Sequence, residues 1–344
     1  MRKRKKSYVT LYIIIVYVIL YSAFIGYKLF YTQKINLKEK TSIYIPTGST
    51  VKNVADTLYS NKIISDPSKF LQQASINGYS TVKSGHYIIT PNLTYRSLIK
   101  QLAAGRQTPV NIVISGNIRT KDRLAGIISN QIEADSVLLL NIFNDAGFLE
   151  EIGFTPENSI LLFMPNTYNV YWNREPKQLF RDMKKQYDKF WNTERTKKME
   201  ESGFTKNDIM TIASIAIEES SKKDELPTIA GVYINRLKQG MPLQADPTVK
   251  YAIGDFSLRR VLYKHLEFDS PYNTYLYKGL PPGPICIPSQ TAVDAVLNYE
   301  KHDYLYFCAK SDFSGYHAFA KTLQQHNQNA NAYRQALNKR KIYE

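Results

Sequence analysis

Cysteine is scarce in this chain, and the usual metal-binding patterns are missing. The 344 residues contain two cysteines, Cys286 and Cys308, with no Cys-x-x-Cys pair and no His-Glu-x-x-His sequence. These absences exclude the common zinc-site patterns, so we predict no metal site. In an oxidising compartment the two cysteines can pair as a disulfide, but two buried thiols fit the sequence equally well.

Low-complexity tracts and long repeat arrays are also absent. The chain is 43% hydrophobic and 22% charged, which is typical of a folding globular protein and excludes a disordered one. Its length suggests about two globular units. The net charge of +15 favours a polyanionic partner, which could be nucleic acid, anionic lipid or an acidic wall polymer.

Charge of either sign is missing between Ser7 and Tyr27, directly after the basic cluster at residues 2–6. About 20 apolar residues suffice to cross a bilayer as a helix. Positive flanks stay in the cytoplasm, so we expect residues 1–28 to form a basic tail and a single-pass anchor of the cytoplasmic (inner) membrane. The alternative, a cleavable signal peptide, is disfavoured because Ser22-Ala23-Phe24 matches its cleavage site poorly. The remaining chain would then be extracytoplasmic or periplasmic, away from nucleic acid.

Two strand–helix patterns follow a polar tether at residues 29–42. In each pattern a short strand and a proline-containing turn precede apolar residues at helical spacing, with Thr50 and Thr94 as expected N-caps and Gly105 as a stop. We interpret residues 43–106 as a small βα unit that resembles LysM-like subdomains of cell-wall enzymes. It either binds glycan or only positions the next domain. Residues 107–344 mix helices and strands, which makes the overall class α+β.

Glu219 lies at the end of a predicted amphipathic helix. Thr205 to Asp208 has the spacing of a capping box, so the helix begins there. Ile215, Ala216 and Glu219 share the apolar face, whereas Glu218 follows a polar stripe that we expect to face solvent. Partial desolvation raises the pKa of a glutamate, as a general acid requires. The alternative is a helix-end carboxylate that pairs with a cation, for which Lys222, Lys223 and Arg236 are available.

Further structure is indicated downstream. Pro227 and Gly240 bracket a second helix, and the stretch 270–285 is too rich in proline and glycine for a helix or a central strand. It must therefore be an extended loop, of a kind that suits a binding cleft. Residues 304–307 and 315–319 read as two strands that could form a hairpin.

These sequence blocks resemble one known family. The blocks, in chain order, are IASIAIEES, GVYINRLKQGMPLQADPTVKYAIG, SPYNTYLYKGLPPGPI, YLYF and GYHAFAKTLQQHN. They are similar to the YceG-like (MltG) family of endolytic murein transglycosylases, and the anchor and the LysM-like unit fit that family's plan. The resemblance implies that Glu219, the second acid of an ASI-x-E-x-E pattern, is catalytic. Two departures are Ile217, where the pattern has its first acid, and Ile287-Pro288-Ser289, where the family has Asn-Pro-Gly.

The resemblance also suggests which residues line a substrate cleft. The positions that match family motifs are Asn235, Arg236, Gln244, Asp246, Thr248, Tyr272, Asn273, Thr274, Tyr275 and His317. Simpler structural roles stay open for three of them. Asp246 could cap the turn before Pro247, Arg236 could pair with a surface acid, and His317 could be a core histidine.

The reaction implied by the resemblance needs one acid and no cofactor. Glu219 would protonate the MurNAc–GlcNAc glycosidic oxygen, and the 6-hydroxyl of MurNAc would then attack C1 to leave a 1,6-anhydro end. Such an enzyme would act within peptidoglycan strands, limit their length and associate with peptidoglycan synthases. The alternatives are a hydrolytic muramidase, which requires a second carboxylate, and a non-catalytic, membrane-tethered glycan-binding scaffold.

Overall fold

The computed structural model describes residues 2–31, 33–258 and 260–340. The sequence also predicts a final amphipathic helix with a basic end at residues 327–344, and residues 341–344 lie outside the described range. The first helix, α1, spans Arg2–Tyr31. Within it, Val9–Tyr27 has a mean hydropathy of 2.3 and none of it is buried. This helix is long enough and apolar enough to cross a membrane.

The described chain divides into two compact units, and the first comprises the residues up to 111 together with 131–133 and 169–174. Strand β1 (Thr41–Ile45) pairs antiparallel with β2 (Gly85–Ile89). Three helices pack with this two-stranded sheet, namely α2 (Val51–Ser60), α3 (Pro67–Ile76) and α4 (Tyr95–Ala104). Their apolar faces enclose a core that includes Leu58, Phe70, Tyr87 and Ile99.

Local capping explains where these helices begin and end. The Thr50 hydroxyl accepts the Asn53 N–H, and the Thr94 hydroxyl accepts that of Ser97. Gly105 ends α4 with φ at +66°, a conformation that favours glycine. The predicted caps and stop are therefore confirmed. Helix α3 was not predicted, although Asp66 caps it and Pro67 occupies its first turn.

The remaining elements are mostly short helices. The strands are β3 (Val110–Ile114), which pairs with β4 (Asn166–Val170), and β5 (Tyr306–Ala309), which pairs with β6 (His317–Ala320). The helices are α5 (Lys121–Ser129), α6 (Ser136–Phe143), α7 (Ala146–Glu151), α8 (Pro176–Phe190), α9 (Thr193–Ser202), α10 (Lys206–Glu219), α11 (Leu226–Lys238), α12 (Asp246–Ile253), α13 (Tyr263–Leu266), α14 (Gln290–Leu297) and α15 (Leu323–Lys339). Short 3-10 turns occupy Ser159–Leu162 and Lys223–Glu225.

Helix α10 is the central element of the second unit. It packs against α11, α12 and α14, and its residues from Ile209 to Ala216 are all buried. Thr205 and Asp208 form the predicted capping box at its start. The polar stripe expected to face solvent is instead fully buried at Thr211 and Ser214. The sequence prediction was wrong there because periodicity cannot orient a helix that is covered on every side.

The stretch 270–285 and the C-terminal hairpin follow the sequence prediction closely. Among the described residues of that stretch there is no helix or strand. The Ser214 hydroxyl accepts the N–H of Ile285 at 3.0 Å, which fastens the end of this loop to α10. In the hairpin, Phe307 of β5 lies opposite Phe319 of β6. Both strands begin two residues later than predicted.

Removing the cap of α10 tests how much the box stabilises the helix. We expect Thr205→Ala to lower the free energy of unfolding by about 0.5–2 kcal/mol, because the Asp208 N–H loses its acceptor. Thr193→Ala is the matched control, since Thr193 is exposed in the first turn of α9; its change should stay within about 0.5 kcal/mol. Denaturant unfolding of the purified protein measures both, and equal changes would contradict the prediction.

Candidate functional site

Glu219 is the last residue of α10 and lines a cavity of about 390 Å³. The other lining residues come from α11, the turn before α12, the 270–285 loop, the hairpin and α15: Tyr233, Arg236, Leu243, Gln244, Asp246, Tyr275, Tyr306, Phe307, Cys308, Ala309, His317, Leu323 and His326. Elements far apart in sequence therefore surround one half-buried carboxyl group.

The Glu219 carboxyl is held by a buried tyrosine. The Tyr233 hydroxyl donates to Oε1 of Glu219 at 2.6 Å. Burial raises the pKa of Glu219 from 4.5 to about 7; the Tyr233 hydrogen bond lowers it, and the negative charge of Asp246 raises it further. No described cation forms an ion pair with Glu219, so pairing with Lys222, Lys223 or Arg236 is not observed.

Asp246 is the second carboxylate of the cavity. It begins α12, and its Oδ1 accepts the Tyr275 hydroxyl at 2.6 Å. Burial and this hydrogen bond both raise the pKa of Tyr275, so the phenol stays protonated. Lys250 lies one turn further along α12, and its charge lowers the pKa of Glu219. Asp246 thus raises the pKa of Glu219, and Lys250 lowers it.

Arg236 is buried and shapes one wall of the cavity. Its Nε donates to the carbonyl of Leu305 at 2.6 Å, and its Nη1 donates to the carbonyls of Pro242 and Leu243. The guanidinium carbon lies 5.1 Å from the centre of the Tyr306 ring. No described acid pairs with Arg236, so the surface ion pair considered from the sequence is not observed. The guanidinium donates its hydrogen bonds to carbonyl oxygens and adds positive charge to the cavity.

His317 lines the cavity from β6 and contacts a buried acid. Its ring Nδ1 lies 3.0 Å from Oε2 of Glu225, and its backbone N–H donates to Oε1 of the same carboxylate at 2.7 Å. The His317 ring meets the Phe307 ring edge-on. His317 is therefore partnered as a core histidine would be, yet it also belongs to the cavity wall.

Half of the ten cleft residues expected from the sequence do not line the cavity in the described chain. These are Asn235, Thr248, Tyr272, Asn273 and Thr274. Most of them make hydrogen bonds that hold the walls in place. The Asn235 amide donates to the carbonyl of His302, and that of Asn273 donates to Leu266 and Phe268.

The walls also depend on two threonines and one ring pair behind the cavity. The hydroxyls of Thr248 and Thr274 lie 2.8 Å apart, and that of Thr274 also accepts the Ala245 N–H. The Tyr272 ring packs on Tyr251 with ring centres 4.7 Å apart. These hydroxyl and ring contacts position the residues that face the cavity.

Glu218 does not face solvent as the sequence suggested. Its side chain is 11% exposed, and Arg119 donates to both of its carboxylate oxygens, at 3.0 and 2.8 Å. The Arg119 guanidinium also lies over the Phe256 ring. Arg119 precedes α5, so no local pattern could identify it. Because Glu218 is committed to this ion pair, it is not available to Glu219 as a second acid.

Three residues of the site were missed as functional candidates. Tyr233 lies in the predicted second helix and Tyr306 in a predicted strand, and neither of them was assigned a functional role from the sequence. His326 stacks on Tyr306 with ring centres 5.5 Å apart, and its buried Nδ1 has no partner among the described residues. A signal for Tyr233 existed, since Tyr233 lies on the helix that follows the one bearing Glu219 and can turn a hydroxyl towards that carboxyl.

The Ile287-Pro288-Ser289 departure from the family pattern is accommodated without distortion. Ser289 caps α14 by accepting the Ala292 N–H, with φ at −70° and thus ordinary backbone. Ile287 is buried, and its N–H donates to the carbonyl of Ile118. Cys286 and Cys308 are both free thiols in this structure, which answers the question that the sequence left open.

A larger cavity, of about 630 Å³, lies at the other end of α10 beside Lys206. Its cations are largely neutralised, since Lys184 pairs with Asp188 and Arg181 with Glu151. It contains none of the residues that the sequence identified. The smaller cavity, which holds the carboxyl with the raised pKa, is therefore the candidate functional site.

Comparison with known proteins gives consistent matches along the chain. The YceG-like family matches residues 43–332. A Bacillus subtilis (strain 168) protein named endolytic murein transglycosylase is 31% identical over 321 residues, covering 88% of this chain and 87% of that protein. A Streptococcus pneumoniae protein of the same name is 27% identical over 308 residues; the match covers 80% of this chain and about half, 55%, of that protein. The crystal structure of a yceG-like protein from Listeria monocytogenes superposes with a TM-score of 0.55 at 29% identity, covering 85% of this chain and 99% of that one.

The raised pKa of Glu219 has a consequence for stability. As pH rises above 4.5, the unfolded chain releases this proton while the folded chain keeps it until about pH 7, so Glu219 destabilises the fold across that interval. Glu219→Gln cannot titrate. We therefore expect its thermal stability, relative to that of the wild type, to increase as the pH rises from about 4 to about 8. Glu200→Gln, at an exposed site on α9, is the control. A pH-independent difference between Glu219→Gln and the wild type would contradict the assigned pKa.

Proposed function

Because this chain belongs to the YceG-like family, we propose that it is a membrane-anchored endolytic transglycosylase that cleaves MurNAc–GlcNAc bonds within peptidoglycan strands with Glu219 as its acid and base. With endolytic murein transglycosylases among its relatives, it is a lytic transglycosylase. The observation that carries the proposal is the Glu219 carboxyl, which lines an open cavity and has a pKa of about 7.

A pKa near 7 suits a group that must first give and then take a proton. A protonated Glu219 donates to the glycosidic oxygen, the C1–O bond breaks, and the N-acetyl group assists at C1. The resulting carboxylate takes the proton of the MurNAc 6-hydroxyl while the hydroxyl oxygen bonds to C1. The product is a 1,6-anhydro end, water is not consumed, and Glu219 is again protonated. Near neutral pH both forms of the group are populated, which favours both steps.

Tyr233 supports both protonation states. Its hydroxyl donates to the Glu219 carboxylate once the proton has left, which limits the cost of the buried charge. Burial and the neighbouring Glu219 raise the pKa of Tyr233 well above its usual value, so the phenol does not compete as an acid. It therefore acts as a fixed hydrogen-bond donor.

The hydrolytic alternative would need a second carboxylate across the sugar. Asp246 is the only other carboxylate lining the described cavity, and its Oδ1 already accepts the Tyr275 hydroxyl. Glu218 is paired with Arg119. These engagements favour the one-acid scheme, and the chemistry of the cut end distinguishes the two reactions.

The cavity wall suits a glycan. Gln244 offers an amide, His317 an imidazole and Tyr275 an aromatic face, while Arg236 adds positive charge. Sugars combine apolar faces with hydroxyl groups, so aromatic rings and polar groups together bind them well. Substrate contact by these residues is part of the proposal, together with contact by Asp246.

The cellular setting is also proposed. Helix α1 anchors the chain in the bacterial cytoplasmic membrane, and the basic residues at its start stay on the cytoplasmic side. The enzyme would then act on strands near the membrane and limit their length, beside peptidoglycan synthases. The LysM-like interpretation of residues 43–106, and glycan binding there, stay predictions.

Replacing the acid tests the reaction directly. We expect Glu219→Gln to lower the rate of strand cleavage by at least about 10²-fold, because the amide cannot supply the proton. Muropeptide mass spectrometry of digested sacculi should show 1,6-anhydroMurNAc ends from the wild type and from the Glu200→Gln control. Full activity of Glu219→Gln would show that another acid supplies the proton, and absence of cleavage by the wild type would support a scaffold. Reducing MurNAc ends from the wild type would support a muramidase.

The pH dependence of kcat/KM tests what sets the pKa of Glu219. Activity should fall above about pH 7 as the acid loses its proton. Tyr233→Phe removes a hydrogen bond that lowers this pKa, so the alkaline limb should move to higher pH. Asp246→Asn removes a charge that raises it, so the limb should move to lower pH. Shifts of the same sign in both variants would contradict the assignment.

A further inference from the structure

Glu225 is a buried acid that the mechanism above does not use. It ends the 3-10 turn Lys223–Glu225 directly before α11, and only 6% of its surface is exposed. A carboxylate in such a place is costly unless donors surround it. Its partners are therefore informative about its role.

Three donors converge on the Glu225 carboxylate. Oε1 accepts the backbone N–H of His317 at 2.7 Å, and Oε2 lies 3.0 Å from the ring Nδ1 of His317 and 3.1 Å from the Ser220 hydroxyl. The Ser220 oxygen itself accepts the N–H of Lys222, so its proton is free to point at Glu225. Each oxygen of the carboxylate thus has at least one donor.

This arrangement decides which nitrogen of His317 carries the proton. A carboxylate can only accept, so Nδ1 must donate to it. In the neutral ring the proton then lies on Nδ1, and Nε2 keeps its lone pair. Within the described chain no group hydrogen-bonds to Nε2, and His317 lines the same cavity as Glu219.

Glu225 also fixes the end of the catalytic helix. Ser220 directly follows Glu219, and its backbone N–H closes the last turn of α10 by donating to Ala216. The carboxylate therefore joins the residue after the acid to strand β6, which bears His317. The Glu225 side chain thus sets the distance between Glu219 and His317.

We propose that Glu225 is a positioning residue that holds His317 as its Nδ1–H tautomer, so that Nε2 accepts a hydrogen bond from a hydroxyl or amide N–H of the glycan. This inference rests on the proposed function, because it takes the glycan as the occupant of the cavity. The neighbouring charged groups do not replace Glu225. Asp224 accepts the Tyr316 hydroxyl at 3.0 Å, and the Lys222 ammonium lies 4.8 Å from the centre of the Tyr316 ring.

Glu225→Gln tests the proposal because it keeps the shape and changes the hydrogen-bond pattern. The backbone N–H of His317 can only donate, so it takes the glutamine carbonyl oxygen and leaves the amide NH₂ group facing Nδ1. Nδ1 must then accept, so His317 should change to its Nε2–H tautomer. Nε2 then no longer accepts from the substrate. We expect kcat/KM to fall by between about 10-fold and 10⁴-fold, the upper figure being the cost of a wrong histidine tautomer in a serine-protease triad.

The tautomer is measurable independently of activity. The chain has five histidines, so ¹⁵N-histidine labelling of the full-length protein in detergent gives few side-chain signals, and His317→Gln identifies the one from His317. The wild type should show Nδ1–H, and Glu225→Gln should show Nε2–H. Asp224→Asn is the matched control on the same turn and should leave both the tautomer and kcat/KM unchanged.

Two results would overturn the proposal. One is an Nε2–H tautomer of His317 in the wild type, which decides the matter even if Glu225→Gln fails to fold. The other is a folded Glu225→Gln with unchanged tautomer and unchanged kcat/KM. Neither result touches the proposed function, which fails only if the wild type does not release anhydro ends or if Glu219→Gln retains activity.

Discussion

The partial desolvation of Glu219 is the constraint on which the site depends. Helix α10 is buried over most of its length, and its final residue emerges into the cavity while still shielded from solvent. Burial favours the protonated acid, and the Tyr233 hydroxyl limits the cost of the anion. A fully exposed carboxyl would have lost its proton at neutral pH, and a fully enclosed one could not meet a polymer. The packing of α11, α12 and α14 around α10 therefore sets the pKa on which the proposed chemistry depends.

Local signals in the sequence were sufficient to locate this helix and its acid. The Thr205–Asp208 box fixed the start of α10, and the three- and four-residue spacing put Glu219 on its apolar face. Gly105, Thr50 and Thr94 marked helix ends equally well, because capping is decided by neighbours in sequence. Helix α3 carried the same kind of signal, a capping Asp66 followed by Pro67, so the sequence was also sufficient to predict this helix.

What the sequence could not provide is the set of contacts between distant segments. Arg119 reaches Glu218 from the region before α5, and Glu225, on the turn before α11, contacts His317 on β6. Helical periodicity has no information about such partners, which is why Glu218 was assigned to solvent. The same limit applies to Thr248 and Thr274, whose hydroxyls bond each other behind the cavity wall. Motif positions indicate that a residue matters, but only the fold distinguishes a wall from its support.

The most direct test of this account is the titration of the Glu219 carboxyl itself. Infrared difference spectra between the wild type and Glu219→Gln, recorded against pH, isolate its protonated C=O band. We expect a midpoint of about 7, with the band still present at mildly acidic pH. A midpoint near 4.5, the ordinary value for glutamate, would show that the helix end is solvated and would contradict the central role assigned to burial.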